Sequence, residues 1–85
     1  MIEKGKTLFA DGFNSAIIGK TDDGRIVYSK VLMVEALVVD DDMSVQDAIE
    51  YLEYNTWSAY VGEYTPIYVN DFDLDREEIK QYANR

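Results

Sequence analysis

The chain has 85 residues, 47% hydrophobic and 29% charged, with 17 acidic against 8 basic side chains and a net charge of −9. That length predicts one domain (1–85) with a modest core, and the composition is that of a globular chain rather than a disordered one. With neither Cys nor His present, disulfides, thiolate or imidazole catalysis and Cys- or His-based metal centres are excluded, and the acidic balance argues against binding nucleic-acid backbones or anionic membranes.

Residues 1–12 are polar around the apolar pair Leu8-Phe9 and read either as a frayed arm or as an added edge strand. From Phe13 to Tyr28 two β-prone runs flank Asp23-Gly24. That is a hairpin pattern, because tight β-turns need positive φ at their central residues. A two-residue loop is the simplest register, and a four-residue loop from Thr21 is the alternative. Gly19 within the first run points to a bulge or a close backbone approach.

Lys30 to Val39, KVLMVEALVV, carries four valines that favour a strand. Its length, its Leu, Met, Glu and Ala content and a Ser29 N-cap favour a helix, and it is read as one. The run is broken by Glu35 and is much shorter than the roughly 20 residues that span a bilayer. The opening MIEKGKTLFADG lacks the apolar segment of a secretory signal, so the expected location is the cytoplasm. Asp40-Asp41-Asp42 then forms a linker.

The segment from Met43 to Val69 organises the rest. Val45, Ala48, Ile49, Leu52, Thr56, Ala59 and Tyr60 recur at steps of three and four, the signature of one long amphipathic helix. Ser44 is its N-cap, with Asp47 three residues on, and Gly62 is its predicted C-terminal stop. At about 100° per residue, Tyr51, Tyr54, Trp57 and Val61 fall on the opposite side, mixed with Asp47 and Glu50. An aromatic outer face predicts contact, either with another part of the chain or with a partner. Pro66 opens a strand through Ile67-Tyr68-Val69. Asp75 and Glu78 cap a short final helix, Arg76 to Ala83. The predicted fold is α+β: a small antiparallel sheet, made of the hairpin and the later strand, packed by two helices and followed by a short C-terminal helix (ββααβα).

The order Ile17-Ile18-Gly19, a strand ending in Tyr28, a helix, Met43, then Ala48-x-Glu50-Tyr51-x-Glu53-Tyr54-Asn55, Ala59 and Gly62-Glu63-x-Thr65-Pro66-Ile67 resembles a widespread family of small, uncharacterised tailed-bacteriophage proteins. The likeness covers about 55 of the 85 residues and leaves both ends outside. The chain departs from the family at Asp42, where Gly is favoured before the Met, and at Ser58, often Gly; both changes bear on local backbone. The resemblance implies a phage origin, hence the host-cell cytoplasm, and supplies no activity or catalytic residues.

Asp71-x-Asp73-x-Asp75 has the spacing that opens a calcium loop. Arg76 stands where that loop needs Gly, and Tyr82 where it needs a bidentate Glu, so helix entry accounts for the pattern better. Asp40, Asp41 and Asp42 with Asp47, Glu50 and Glu53 form the densest acidic region. It reads as solvated linker and helix flank, a divalent-ion site, or an imitation of nucleic-acid phosphates. No nucleophilic triad and no Gly-rich phosphate loop is present, so the chain reads as non-enzymatic, with no cofactor and no metal.

Two functions remain. One is a protein-interaction module, a homodimer or a modulator of a host protein, using Tyr51, Tyr54, Trp57 and Val61 with Asp47 and Glu50 at the rim. The other is a small-ligand binder or sequestering protein with a pocket at a subunit interface, for which Glu53, Asn55, Glu63 and Thr65 are the candidate polar cluster. The plainer role of that cluster is to tie the helix end to the strand.

Overall fold

The computed structural model describes residues 1–72, without the side chains of Ile2 and Lys4; the C-terminal helix predicted over Arg76 to Ala83 lies outside the described residues. The α+β class is as predicted: two helices accompany a three-stranded sheet.

The opening residues are neither a frayed arm nor an added edge strand. Strands β1 (Ile2–Lys4) and β2 (Thr7–Phe9) pair antiparallel as a separate hairpin, turned at Gly5 with φ 63°. It is tied to the larger sheet by one buried hydrogen bond, from the Ala10 amide to the Tyr28 hydroxyl at 2.7 Å. A 3-10 turn over Asn14–Ala16 leads into β3 (Ile17–Lys20), which pairs antiparallel with β4 (Ile26–Ser29). The register shifts between Ile17 and Gly19, a bulge that turns Ile18 outward.

The loop between β3 and β4 follows neither two- nor four-residue register. The Thr21 amide bonds to the Arg25 carbonyl at 2.8 Å and the Gly24 amide to the Thr21 carbonyl at 3.0 Å, leaving Asp22, Asp23 and Gly24 as a three-residue loop. Gly24, at φ 94°, takes the left-handed position such loops require. A Cβ there would come within 3.3 Å of the Tyr64 ring, so the site admits only glycine without strain.

Helix α1 (Lys30–Asp40) begins directly after β4, where the Ser29 hydroxyl accepts from the Leu32 amide at 3.1 Å. It ends with Asp42 at φ 55°, the one described non-glycine residue with positive φ. This is the left-handed stop usually taken by glycine. Helix α2 (Val45–Leu52) starts at Ser44, whose hydroxyl accepts from the Asp47 amide at 3.1 Å.

The single helix expected from Met43 to Gly62 is shorter and broken. Its α-helical part stops at Leu52 and is followed by a π turn over Glu53–Trp57. Gly62 (φ 109°) does not cap it; instead its carbonyl accepts from the amide and hydroxyl of Thr65, while the Thr65 hydroxyl accepts from the Val61 amide. The Arg25 Nε donates to the Thr65 carbonyl at 2.7 Å and ties this turn to the β3–β4 loop.

Strand β5 (Ile67–Val69) joins β4 in parallel, so the sheet is mixed, with order β3-β4-β5, rather than antiparallel. The reason is the length of the connection. Two helices and an irregular segment return the chain to the starting end of β4, which a parallel pair requires and a tight turn cannot supply. The core gathers Phe13, Ile26, Tyr28, Met33, Val34, Leu37 and Leu52 around the small residues Ala10, Ala16 and Ala48. Tyr28 is fully buried and stacks on Tyr68, ring centroids 5.6 Å apart. Burial pushes the Tyr68 hydroxyl up to about 12, with the neighbouring Tyr28 adding to the shift. Among the described residues no helix is long and apolar enough to cross a membrane.

Candidate functional site

The π turn decides which side chains of the expected aromatic face remain on it. In an i→i+5 turn the backbone winds less per residue, which brings residues five apart, such as Leu52 and Trp57, toward one side. Trp57 therefore swings inward from the face assigned to it. It packs half-buried against the core, its indole N–H donates to the Met33 Sδ at 3.4 Å, and the Lys30 ammonium sits 4.5 Å from the ring centroid. Tyr51, Tyr54 and Val61 stay exposed, at 47%, 86% and 43%.

The same change alters the inner stripe. Ala48 and Leu52 are fully buried and Ile49 packs beside them, but Val45 is exposed and Tyr60 is 80% exposed. Tyr60 lies beyond the helix and its π turn, so the helical period that placed it inside no longer applies. Between residues 51 and 61, Tyr60 thus joins Tyr51, Tyr54 and Val61 among the exposed large hydrophobic side chains. A signal for the break lay in Tyr54-Asn55-Thr56-Trp57, four consecutive residues of middling helix propensity.

Asp47, Glu50 and Glu53 are exposed on the same helix and turn. Glu50 accepts from the Gln46 side chain at 3.3 Å. Asp40, Asp41 and Asp42 are also exposed, and among the described residues no three carboxylates stand close enough to hold a metal ion.

The structure does not join Glu53, Asn55, Glu63 and Thr65 by hydrogen bonds. The Asn55 side chain donates back to the Tyr51 carbonyl at 3.0 Å, Thr65 serves its own turn, and Glu53 and Glu63 face solvent. Each polar group satisfies nearby backbone or water, the local role such side chains commonly take.

Asp71, the first residue of the calcium-loop-like pattern, is a helix cap. Its carboxylate accepts from the Ser29 hydroxyl at 2.5 Å and from the Val31 amide at 3.1 Å. It thus fastens the chain after β5 to the positive end of α1. Asp73, Asp75, Arg76 and Tyr82 lie outside the described residues. Burial alone would raise the acid's pKa, but the hydrogen bonds from Ser29, Val31 and its own backbone outweigh it and hold Asp71 below the ordinary aspartate value. A carboxyl depressed on folding stabilises the fold above its unfolded value, and that contribution is lost as pH falls through the lower folded value. Asp71→Ala is therefore expected to lower stability at pH 7 by about 1–2 kcal/mol, and the difference from wild type should shrink below pH 4. Urea unfolding at pH 7 and pH 3 checks this; an equal gap at both would refute the charged cap.

Compared with protein-family models, with characterised proteins and with solved structures, the chain matches none.

Proposed function

We propose that this chain is a small, acidic, phage-encoded interaction module without enzymatic activity, working in the host-cell cytoplasm. It pairs with a second copy of itself through the outer surface of α2 and the π turn, and in that form engages a host protein. The observation that carries this reading is the exposure of Tyr54 at 86%, Tyr60 at 80%, Tyr51 at 47% and Val61 at 43% within one eleven-residue stretch. Such aromatic side chains are enriched at interface cores and often dominate their energetics. A two-fold axis sets each patch against its own copy. Asp47 and Glu50 then lie at the rim, where water screens their repulsion. Trp57, held on Met33, stands behind this surface rather than in it. The local bonding of Asn55 and Thr65 favours the interaction module over a ligand pocket.

The expected result is a dimer in light scattering after gel filtration at tens of micromolar. Tyr54→Asp should give a monomer with unchanged far-UV dichroism, since a carboxylate buried in an apolar interface without a partner is strongly unfavourable. A wild-type monomer at that concentration would end the self-pairing reading.

A further inference from the structure

Three shallow depressions run into one another across α1, the 10–13 loop and α2. The largest, about 340 Å³, lies between the 3-10 turn and the outer side of α1, over Leu32, Ala36 and Val39 with Glu35 and Asp40 at its edge. The second, about 180 Å³, shares Ala36 and Asp40 with the first and continues past Phe13 and Asp11 to Tyr51. The third, also about 180 Å³, shares Asp11, Phe13 and Tyr51 with the second and reaches Asn55 and Ala59. Together they make one open trough.

Its chemistry is uneven. Leu32, Ala36 and Val39 are spaced by four and three, so they form one stripe of α1, and Val39 is 69% exposed. Among the described residues, four carboxylates stand along the trough, Asp11, Glu35, Asp40 and Asp41, and neither lysine nor arginine lines it. Apolar floor and anionic edge coincide, in a chain whose net charge is already −9.

We infer that this trough docks a Lys- and Arg-rich amphipathic segment of a partner protein. The inference rests on the interaction-module reading and gives the partner's chemistry. Leu or Ile side chains of the segment lie over Leu32, Ala36 and Val39, and its ammonium and guanidinium ends meet Glu35, Asp40, Asp41 and Asp11. Charge selects this occupant over the others. A second copy is already placed on the α2 surface by that reading, nucleic acid is repelled, and an acidic segment would place like charges together. The apolar stripe is what turns charge attraction into a seated helix.

The test uses the full chain and a fluorescein-labelled helical peptide of about fourteen residues, roughly four turns, with Leu on one face and Lys on the other. Controls are a scrambled peptide with no apolar face and the Leu–Glu counterpart. Fluorescence anisotropy should show saturable binding of the Leu–Lys peptide that weakens as salt is raised, with the two controls at least about tenfold weaker. Glu35→Lys with Asp40→Lys, both exposed in the fold, should weaken binding about tenfold or more while keeping the far-UV spectrum. Asp22→Lys with Glu63→Lys makes the same charge change away from the trough and should alter binding by no more than about twofold. Val39→Ser should weaken it severalfold.

Equal losses in the two double variants would mean unspecific charge attraction and overturn the proposal. So would equal affinity for the scrambled peptide, or no binding at millimolar peptide. If the dimer is present but no peptide binds, only the trough fails. If Tyr54→Asp abolishes peptide binding and the trough variants do not, the segment sits on the aromatic surface and the trough is wrong. Retained peptide binding by monomeric Tyr54→Asp supports a trough that takes its peptide without the dimer, Tyr51 being the residue that borders both surfaces.

Discussion

Tyr28→Ala is expected to destabilise the protein by about 3–5 kcal/mol, the range for removing a large buried aromatic side chain. The total stability of a chain this size is roughly 4–13 kcal/mol, so the variant approaches or crosses the folding threshold. Three separate connections converge on this residue. The ring is fully buried in β4, the central strand, and stacks on Tyr68 of β5. The hydroxyl accepts from the Ala10 amide at 2.7 Å, which holds the β1–β2 hairpin. Burial pushes the Tyr28 hydroxyl above its ordinary pKa, although the Ala10 bond works the other way, so the group stays a neutral phenol at physiological pH.

Tyr28→Phe separates these connections. It keeps the ring and removes the acceptor, leaving the amide of buried Ala10 without its partner. A loss of about 1–3 kcal/mol is expected, with faster hydrogen exchange at Ala10. Urea unfolding of both variants, with exchange measured on the second, checks the assignment. If Tyr28→Phe matches wild type and the Ala10 amide stays protected, the hairpin is held by something else.

What the sequence made legible was mainly local. Ser29 and Ser44 are caps because a hydroxyl before a helix can reach an amide three residues on, and both do. Gly19 marked a bulge, and Asp23-Gly24 a hairpin, by the same short-range geometry. The ambiguous run from Lys30 is a helix despite its valines, because Met33, Val34 and Leu37 recur at helical spacing and are buried. Features set by distant parts of the chain were not legible. The parallel pairing of β5 depends on how a connection from Lys30 to Pro66 returns, which no local pattern encodes. Asp71 caps a helix some forty residues upstream in sequence, so its role was hidden behind a calcium-like spacing. Of the expected aromatic surface, Tyr51, Tyr54 and Val61 are exposed, whereas Trp57 is not fully so, because a constant helical period cannot anticipate a π turn. The trough was missed because it needs residues 10–13 beside α1 and α2, a juxtaposition made only by the folded chain.

Leu52→Ala tests that π turn from the inside and is expected to cost about 2–5 kcal/mol. Leu52 is fully buried as the last residue of α2, immediately before the turn. Truncation removes the branched end of the side chain from the core cluster and leaves a cavity that the surrounding residues fill only in part. A chain of this length should lose roughly 8–40 °C in Tm. Leu52→Met, nearly equal in volume, should cost under about 1.5 kcal/mol. The single tryptophan of the chain is Trp57, so its fluorescence follows unfolding beside the altered site. Two further truncations separate a π turn from an uninterrupted α-helix. An uninterrupted helix would leave Trp57 outward, making Trp57→Ala as mild as Tyr54→Ala. With the turn as found, Trp57 rests on Met33 and beneath Lys30, while Tyr54 is 86% exposed. In dilute protein, below the concentration at which copies pair, Tyr54→Ala should change stability by no more than about 0.5 kcal/mol, and Trp57→Ala by several times that. Because Trp57→Ala removes the fluorophore, both are followed by far-UV dichroism in urea. Equal effects of these two substitutions would show that the helix runs straight through Leu52 and that Trp57 belongs to the outer surface after all.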